Sequence, residues 1–158
     1  MVSDTHIPRR GKTLPRVLLE GIKGADLIIH AGDINKDYVI YELEDIAKVE
    51  YVMGNTDSEE DWVKIDRKKV IEVDDCKIGV IHGYGDKGTT LGRVRKAFEG
   101  EDLDCIVFGH SHIPMNEVIE GVLYFNPGSP TDKRRQKFFS YGMLSVSRGS
   151  VSGKIIYF

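Results

Sequence analysis

The stretch CIVFGHSHIP, which runs from Cys105 to Pro114, decides how the rest of the sequence is interpreted. Its apolar run stops at Gly109, and two histidines follow with one serine between them. The run predicts a buried strand, and the glycine predicts that this strand ends just before the histidines. Two imidazoles at the mouth of a strand are a pair of metal ligands, an acid–base pair or a coincidence. The other strand ends of the chain have to decide between these alternatives.

Polar side chains of one kind follow almost every predicted strand in the first two-thirds of the chain. Because the loops of a parallel-type sheet emerge at one edge, we expect these side chains at the edge where sites form in open α/β sheets. Each one alone has an ordinary explanation, such as a turn former, a helix cap or a hydrogen-bonded core histidine. Together they recur at equivalent places, and they are Asp4, His6, Asp33, Asn55, His82, His110 and His112.

The order of helical and strand patterns predicts an α/β fold. Strand and helix patterns alternate in the first half of the chain, and only strand patterns follow Pro114. This order favours two facing mixed sheets with helices on the outside, in one domain that covers residues 1–158. The helical patterns span 13–22, 38–47 and 91–98, and the strand patterns span 26–33, 49–53, 69–73, 77–81, 103–108, 116–120, 121–126, 138–146 and 152–158.

Composition argues against several classes of function. The net charge is −3, from 22 basic and 25 acidic residues, so bulk charge gives no case for nucleic-acid binding. No apolar run approaches ~18 residues and no basic leader precedes an apolar run, so we expect no membrane span, no signal peptide and a cytoplasmic location. Cys76 and Cys105 are expected to be buried, reduced thiols. The sequence leaves open whether the chain forms a homo-oligomer.

The chemistry of the seven strand-end residues indicates divalent metal ions. Carboxylates together with imidazoles suit borderline ions such as Mn, Fe, Ni or Zn, and the absence of cysteine argues against a structural zinc site. Seven donors are too many for one tetrahedral ion, but they fit two ions that share a carboxylate. Paired ions about 3.5–4 Å apart are a recurring device for displacement at phosphorus.

Five short motifs resemble, in their order, those of the calcineurin-like metallophosphoesterases. They are D-T-H (4–6), G-D (32–33), G-N (54–55), H-G (82–83) and G-H-S-H (109–112). The short chain, G-N-T-D (54–57), N-P-G-S (126–129) and the all-strand ending are similar to the small phosphodiesterase branch of this family. The resemblance implies a four-layer αββα sandwich built around a two-metal site.

By motif position, the resemblance also implies a ligand set for each ion. Asp4, His6 and His112 hold the first ion, Asn55, His82 and His110 hold the second, and Asp33 is shared between them. We expect manganese, with nickel, iron, zinc and magnesium as alternatives. The implied reaction is hydrolysis of a small phosphoester by a hydroxide that bridges the ions and attacks phosphorus in line. Asp33 and Asn55 are the predicted catalytic residues, and Asn55 also touches the substrate.

Two departures from the family pattern affect these expectations. The chain begins just before Asp4, so we expect a short first strand and a weaker sheet, with a start codon further upstream as an alternative. Thr56 stands where the larger phosphatases have a protonating or charge-stabilising histidine. Asp57, beside it, is predicted to accept a loop hydrogen bond or to cap a helix, since an exposed carboxylic acid is ionised at neutral pH.

Several other residues have both a functional and an ordinary interpretation. His30 is predicted to be structural, or at most to orient the metal loop. Ser129 lies in a loop that the family keeps beside the site, although turn chemistry explains it equally well. Arg9 and Arg10 follow the first ligands closely enough to reach a phosphate, but a solvated loop is favoured. The basic cluster at 133–137 is likewise interpreted as solvated surface.

Three functions compete for this sequence. The first is a dinuclear metal-dependent phosphodiesterase, which the full ligand set favours. The second is a metal-free scaffold of the same fold, such as the retromer subunit of this family, which has lost ligands and activity. The third is a phosphomonoesterase or nucleotidase, which would use the same metal ligands and differ from the first only in its substrate.

Overall fold

The computed structural model of this chain describes residues 1–58 and 65–158. Within these ranges the helices are α1 (Arg16–Gly21), α2 (Tyr38–Glu44) and α3 (Thr90–Ala97). The strands are β1 (Leu27–His30), β2 (Lys48–Tyr51), β3 (Lys68–Val73), β4 (Cys76–Ile81), β5 (Cys105–Phe108), β6 (Met115–Ile119), β7 (Val122–Asn126), β8 (Ser140–Ser147) and β9 (Ser150–Tyr157). Each element overlaps a segment for which the sequence predicts the same type of structure.

A mixed five-stranded sheet contains the strand that ends at the two histidines. Its strand order is β3-β4-β5-β7-β6. The central strands β4, β5 and β7 are parallel, and the outer strands β3 and β6 pair antiparallel with their neighbours. Because β4 and β5 are adjacent and parallel, the loops that follow them emerge side by side at the same edge.

The N-terminal residues join two pairs of strands into a second sheet. β1 pairs with β2 in parallel, and β8 pairs with β9 antiparallel. Between these pairs, the α-amino group of Met1 donates to the Gly142 carbonyl at 2.7 Å, and the Val2 N–H donates to the Ile29 carbonyl at 2.9 Å. The expected short first strand is therefore reduced to the backbone bonds of Met1 and Val2. A cavity of about 470 Å³ lies beside them, between β1 and β8.

Alternating side chains divide the strand residues among three apolar cores. Ile28 packs with residues of α1 and α2, whereas its neighbour Ile29 packs between the two sheets. Val107 lies in the same inter-sheet core, whereas Ile106 packs with Val94 of α3. The layers are therefore helix, sheet, sheet and helix, which confirms the predicted αββα sandwich.

Two helices are shorter than the sequence predicts, for local reasons. Pro15 has extended backbone angles (φ −62°, ψ 135°), so α1 begins after it, at Arg16. At the end of α2, the Ile46 N–H bonds to the carbonyl of Leu43, three residues back, which tightens the last turn. Leu14 and Ile46 still pack on the core, which explains why the apolar pattern extends beyond both helices.

Two expectations from composition can be compared with the structure. Cys76 and Cys105 are buried and form no disulfide, which confirms that they are buried free thiols. Among the described residues, no helix combines the length and the apolar character that a membrane crossing requires.

A buried carboxylate joins the loops that follow β1 and β2. Asp57 Oδ1 accepts the N–H groups of Ile34 and Asn35 at 2.8 and 2.7 Å. Its Oδ2 accepts those of Gly54 and Asp33 at 2.8 and 3.0 Å. Burial raises the pKa of Asp57, and N–H donors of both loops oppose that rise. The prediction that Asp57 accepts loop hydrogen bonds is confirmed, whereas the expectation that it is exposed is wrong, because the two loops enclose it.

Replacing Asp57 by Asn should lower the free energy of unfolding by about 3 kcal/mol, because an amide nitrogen cannot accept the two N–H groups that now share one carboxylate oxygen. The measurement is urea denaturation with a chelator present. The matched control is Asp37→Asn, since Asp37 is exposed and accepts the Tyr38 N–H at the start of α2. We expect the control to lose about 1 kcal/mol or less. Equal losses in the two variants would contradict the loop-joining role.

Candidate metal centre

All seven predicted site residues converge where the two sheets face each other at one edge. The loops after β1, β2, β4 and β5 contribute to this centre, together with the N-terminal segment that joins β1 to β8. The buried members are Asp4, His6, Asp33, His82 and His112, while His110 is half-buried and Asn55 is exposed.

Asp4, His6 and His112 form the first of two compact groups, with potential ligand atoms that all lie within 4.8 Å of one another. Asp4 Oδ1 lies 3.2 Å from His112 Nε2 and 3.8 Å from His6 Nε2. The two Nε2 atoms are 3.3 Å apart, and the rings stack with an interplanar angle of 17°. The family resemblance implies this same group for the first ion.

Asp4, Asp33 and His82 form the second group, within the same 4.8 Å limit. His82 Nε2 lies 3.2 Å from Asp33 Oδ2 and 3.9 Å from Asp4 Oδ1. The His110 ring lies beside this group, with its centroid 5.2 Å from that of His82, and its Nδ1 is 3.0 Å from Asn55 Oδ1. The resemblance assigns Asp4 to the first ion alone, whereas in the structure Asp4 also lies close to His82.

The Asp33 carboxylate lies between the two groups. Its Oδ2 is 3.6 Å from His6 Nε2 and 3.2 Å from His82 Nε2. Its Oδ1 accepts the Thr56 N–H at 2.9 Å. One oxygen is thus held by the backbone while the other faces a histidine of each group, as a shared carboxylate would.

The Asp4 carboxylate is likewise divided, because hydrogen bonds anchor one of its oxygens while the other faces the centre. Its Oδ2 accepts the Ser3 hydroxyl at 2.6 Å and the His110 N–H at 3.0 Å. Its Oδ1 is buried and has no hydrogen-bond partner among the described residues. A buried anionic oxygen without a partner is costly, so the chemistry of this centre fits a bound cation.

Backbone carbonyls orient two of the buried histidines. His82 Nδ1 donates to the Ala31 carbonyl at 2.7 Å, and His112 Nδ1 donates to the Asp132 carbonyl. Because a carbonyl only accepts, Nδ1 carries a proton in each ring and Nε2 carries the lone pair when the ring is neutral. Both Nε2 atoms face the carboxylates, which is the tautomer and direction that a metal ligand needs.

Five of the seven predicted site residues have left-handed backbone conformations, which non-glycine residues adopt at a cost of roughly 1–2 kcal/mol each. Such strain is typical of functional sites. It turns each side chain away from the direction that strand alternation would give, so His110 and His112 reach different groups although they are two residues apart. The φ values are 56° at Asp4, 47° at His6, 57° at Asp33, 66° at His110 and 57° at His112.

Two glycines of the motifs are required by close approach of the loops. A Cβ atom on Gly54 would lie 2.1 Å from Asp33 Oδ1. A Cβ atom on Gly109 would lie 1.9 Å from Ser3 Oγ and 2.6 Å from Asp4 Oδ2. Any side chain at these positions would push the carboxylates out of the centre, which explains the glycines in G-N and G-H-S-H.

Burial and neighbouring charges shift the pKa values of side chains in and behind the centre. Burial acts to lower the pKa of His82, but the adjacent Asp33 and Asp4 carboxylates outweigh it and raise the pKa to about 9. Burial acts to raise the pKa of Asp33, but His82 and the Thr56 N–H hold it well below its usual value. Burial lowers the pKa of His30 to about 3, so this ring is neutral. The carboxylates are ionised at neutral pH and attract positive charge.

His30 and Ser129 support the N-terminal part of the centre from behind. His30 is fully buried, and its Nε2 lies 3.1 Å from Thr5 Oγ1. Ser129 Oγ donates to the Asp4 carbonyl at 2.8 Å and accepts the Asp132 N–H at 2.8 Å. The structural interpretation of His30 is confirmed, and Ser129 combines turn chemistry with a bond to the backbone of Asp4.

Sequence reasoning missed several groups that anchor the predicted ligands. Ser3 stands next to Asp4 in the chain, so the sequence could have predicted that its hydroxyl donates to the Asp4 carboxylate. The carbonyls of Ala31 and Asp132 and the N–H of Thr56 are backbone groups that almost every residue type has, so no sequence pattern marks them.

The raised pKa of His82 predicts how the stability of the metal-free protein depends on pH. The folded state holds the His82 proton up to about pH 9, whereas an ordinary histidine releases it near about 6.5, so the stabilisation is complete below about pH 6.5 and is lost as pH rises through about 9. We expect the free energy of unfolding, measured in urea with chelator, to fall over this range by an amount on the order of 3 kcal/mol.

Two variants test this assignment. His82→Gln should remove most of the decrease between neutral and alkaline pH. His110→Gln should retain it, because burial and the charge of His82 lower the pKa of His110. The same pH dependence in the His82 variant and in the wild type would contradict the assignment.

Comparisons with known proteins identify the family of this chain. Residues 1–149 match the model of the calcineurin-like phosphoesterase superfamily domain. A probable metallophosphoesterase of Methanocaldococcus jannaschii is 37% identical over 136 residues, which cover 85% of this chain and 68% of that protein. A phosphodiesterase of the same organism is 29% identical over 142 residues, with 81% of each protein covered.

The fold is also similar to that of Vps29 from Chaetomium thermophilum. The TM-score is 0.80 at 16% sequence identity, over 99% of this chain and 94% of that one. At this identity the likeness shows the fold alone. The family match, in contrast, covers every motif of the centre, and the chain belongs to the calcineurin-like phosphoesterase superfamily.

Proposed function

We propose that this protein is a metal-dependent phosphodiesterase that binds two divalent cations. The observation that carries the proposal is the contact between His6 and His112, whose Nε2 atoms lie 3.3 Å apart inside the buried centre. Since His112 Nδ1 donates to a backbone carbonyl, its Nε2 turns a lone pair toward the other ring. A cation beside Asp4 Oδ1 would take this lone pair as a ligand and would satisfy that oxygen.

The distances within the centre support a ligand set for each cation. Two neighbouring ligand atoms that each lie about 2.1 Å from an octahedral ion are about 3 Å apart. The separations between candidate ligand atoms described above are 3.0–3.9 Å, so the side chains would need to move only slightly closer to hold an ion. Asp33 Oδ2 faces both groups and is the shared ligand in this proposal. Asp4, His6 and His112 would hold the first cation, and Asn55, His82 and His110 the second.

Manganese is the cation that we propose, with nickel, iron, zinc and magnesium as alternatives. The donors combine carboxylate and amide oxygens with imidazole nitrogens, a mixture that suits borderline divalent ions. None of the proposed ligands is a cysteine, which distinguishes this set from that of a structural zinc site.

The residues of the chain prepare the centre for phosphoester hydrolysis. When bound, the cations supply an acidified water as nucleophile and neutralise charge on the phosphoryl oxygens. The backbone bonds to Asp4, Asp33 and His82 hold these side chains in place before substrate arrives, so little reorganisation is needed during the reaction. Asn55 is exposed beside His110, where its amide is accessible to a phosphoryl oxygen of the substrate.

Neither of the two residues that follow Asn55 is suited to protonate a leaving group. Thr56 has a hydroxyl of ordinary acidity, and this hydroxyl accepts the Asn35 side-chain N–H at 2.8 Å. Asp57 uses both carboxylate oxygens on backbone N–H groups. The departing oxygen would therefore have to be stable as an anion or be held by a cation, which favours diesters with acidic leaving groups.

Two alternative functions share part of this description. A phosphomonoesterase or nucleotidase would use the same centre, and a relative that is named as a phosphodiesterase favours the diester. A metal-free scaffold of the same fold is the other alternative, because a fold alone does not show that a protein binds metal. The buried oxygen of Asp4 without a partner favours the metal-binding enzyme over the scaffold.

Metal dependence is the first test of the proposal. The purified protein should bind about two equivalents of Mn²⁺, should lose hydrolysis of bis(p-nitrophenyl) phosphate with chelator, and should regain it with Mn²⁺ or Ni²⁺. Asp33→Ala should lower kcat/KM by more than about 100-fold, and further than His6→Ala, because both cations lose a ligand. Asp37→Ala is the control, since this exposed acid lies on the surface at the start of α2.

Two results would contradict this part of the proposal. Near-wild-type turnover of the Asp33 variant with metal present would exclude the shared carboxylate. A protein that binds no divalent ion in stoichiometric amount by elemental analysis would support the scaffold instead.

The leaving group provides a second test. Along a series of aryl phosphodiesters, kcat/KM should fall about tenfold or more as the pKa of the leaving phenol rises by about two units. Thr56→His should flatten this dependence and help poor leaving groups most, if the new ring reaches the leaving oxygen. Thr56→Val removes the hydroxyl without adding an acid and should keep the wild-type slope. A shallow slope in the wild type, with chemistry rate-limiting, would mean that another group already donates the proton.

A further inference from the structure

A positively charged cleft of about 590 Å³ lies next to the metal centre. We call it the basic cleft. It contains four cationic side chains and a single carboxylate, although the whole chain has a net charge of −3. Its main lining residues are Arg9, Arg10, Asp132, Lys133, Arg134 and Phe139.

One wall of the basic cleft is bonded to the loop that carries two candidate ligands. The Asp132 carbonyl accepts from His112 Nδ1, which fixes that ring. Arg134 Nη1 lies 3.4 Å from the His110 carbonyl oxygen. Since the resemblance places these histidines on different ions, this wall lies beside both halves of the centre.

The opposite wall is bonded to the N-terminal ligand segment. The Arg10 N–H donates to the His6 carbonyl at 2.9 Å. Thr131 Oγ1 donates to the Thr5 carbonyl at 2.6 Å and so connects the two walls at their base. A substrate group in the basic cleft would therefore be attached to a phosphorus atom at the metal centre through a short arm.

Most of the positive charge in the basic cleft is not neutralised by the protein. Arg10 Nε pairs with Asp132 at 3.0 Å. Arg9, Lys133 and Arg134 pair with no carboxylate in the described parts of the chain, and Arg9 and Arg134 are exposed. Lys133 Nζ donates to a backbone carbonyl at 3.1 Å and lies 5.3 Å from the centre of the Phe139 ring, so it is held at the cleft.

We propose that the basic cleft binds a terminal phosphate monoester on one arm of the diester substrate. This inference rests on the proposed function and specifies its substrate class. A phosphate monoester carries a charge of about −1.5 to −2 at neutral pH and offers three acceptor oxygens, which match several cations better than one carboxylate would. Arginine binds such a group in a bidentate manner, and two of the unpaired cations are arginines.

The reaction on such a substrate uses only water as co-reactant. The bond between the scissile phosphorus and the leaving oxygen breaks, and a bond to the water oxygen forms. The leaving oxygen departs as a phenolate or alkoxide, and the proton released by water ends in solvent or on that oxygen. The product that remains in the basic cleft is an arm with a phosphate monoester at each end.

A pair of substrates that differ only in the terminal phosphate tests the proposal with the Mn²⁺-loaded enzyme. They are 3-hydroxypropyl p-nitrophenyl phosphate and 3-(phosphonooxy)propyl p-nitrophenyl phosphate, in which the terminal hydroxyl is esterified with phosphate. We expect kcat/KM of the wild type to be about tenfold or more higher for the second, mainly through KM, and the ratio to fall as salt screens the cations. Arg9→Gln combined with Lys133→Gln should bring the ratio close to one. Lys77→Gln combined with Lys154→Gln removes the same charge from exposed positions on β4 and β9 and should keep the wild-type ratio.

A binding measurement without turnover separates this proposal from the proposed function. In calorimetry with 1,3-propanediol bisphosphate and chelator-treated protein, the Arg9/Lys133 double variant should bind about tenfold more weakly than the wild type, and the Lys77/Lys154 control should bind as the wild type does. If neither ester is hydrolysed but this difference in binding is found, the proposed function fails and the basic cleft stands. If the esters are hydrolysed at equal efficiency and both double variants bind alike, the proposal for the basic cleft is overturned.

Discussion

The Asp57 carboxylate is the interaction on which the rest of the centre depends. Parallel pairing of β1 and β2 brings two loops to the same edge of a sheet, but it does not set the distance between them. Backbone N–H groups from both loops converge on this buried carboxylate, and separating the loops would leave them unpaired away from water. The close approach of Gly54 to Asp33 follows from this, and with it the direction in which Asp33 faces the histidines of the other sheet.

The parts of the molecule that follow from repetition could be predicted from the sequence. Apolar runs, each followed by a polar residue, were enough to predict the layers and the limits of most elements to within a few residues. They were also enough to predict which side chains meet at one edge. What could not be predicted depends on backbone groups brought together from distant segments. The bond from the His110 N–H to Asp4 spans 106 positions, and the bonds of Met1 and Val2 that complete the second sheet have no side-chain signature.

A shared fold does not decide whether a member of this superfamily is an enzyme. The likeness to Vps29 extends over nearly the whole chain at 16% identity, so the sandwich tolerates replacement of most of its residues. In this chain, side chains at the strand ends have one polar atom that faces the centre and another that is bonded to the backbone. In His82, for example, Nδ1 is bonded to the Ala31 carbonyl. Apolar packing of the layers needs none of these bonds. They make sense as supports for groups that must point at a ligand, and it is this detail that bears on function.

The left-handed conformations at the centre have a consequence for how the protein changes over evolutionary time. At Asp4, His6, Asp33, His110 and His112, glycine would adopt the same backbone without strain. At His6 and His110, whose side chains bond to no backbone group among the described residues, selection for heat resistance of the metal-free chain would therefore favour glycine. A bound ligand reverses this preference, because it stabilises only the folded state that can hold it. Lineages that no longer need the reaction are expected to become more stable and inactive through changes at these two histidines, where stability and activity make opposite demands.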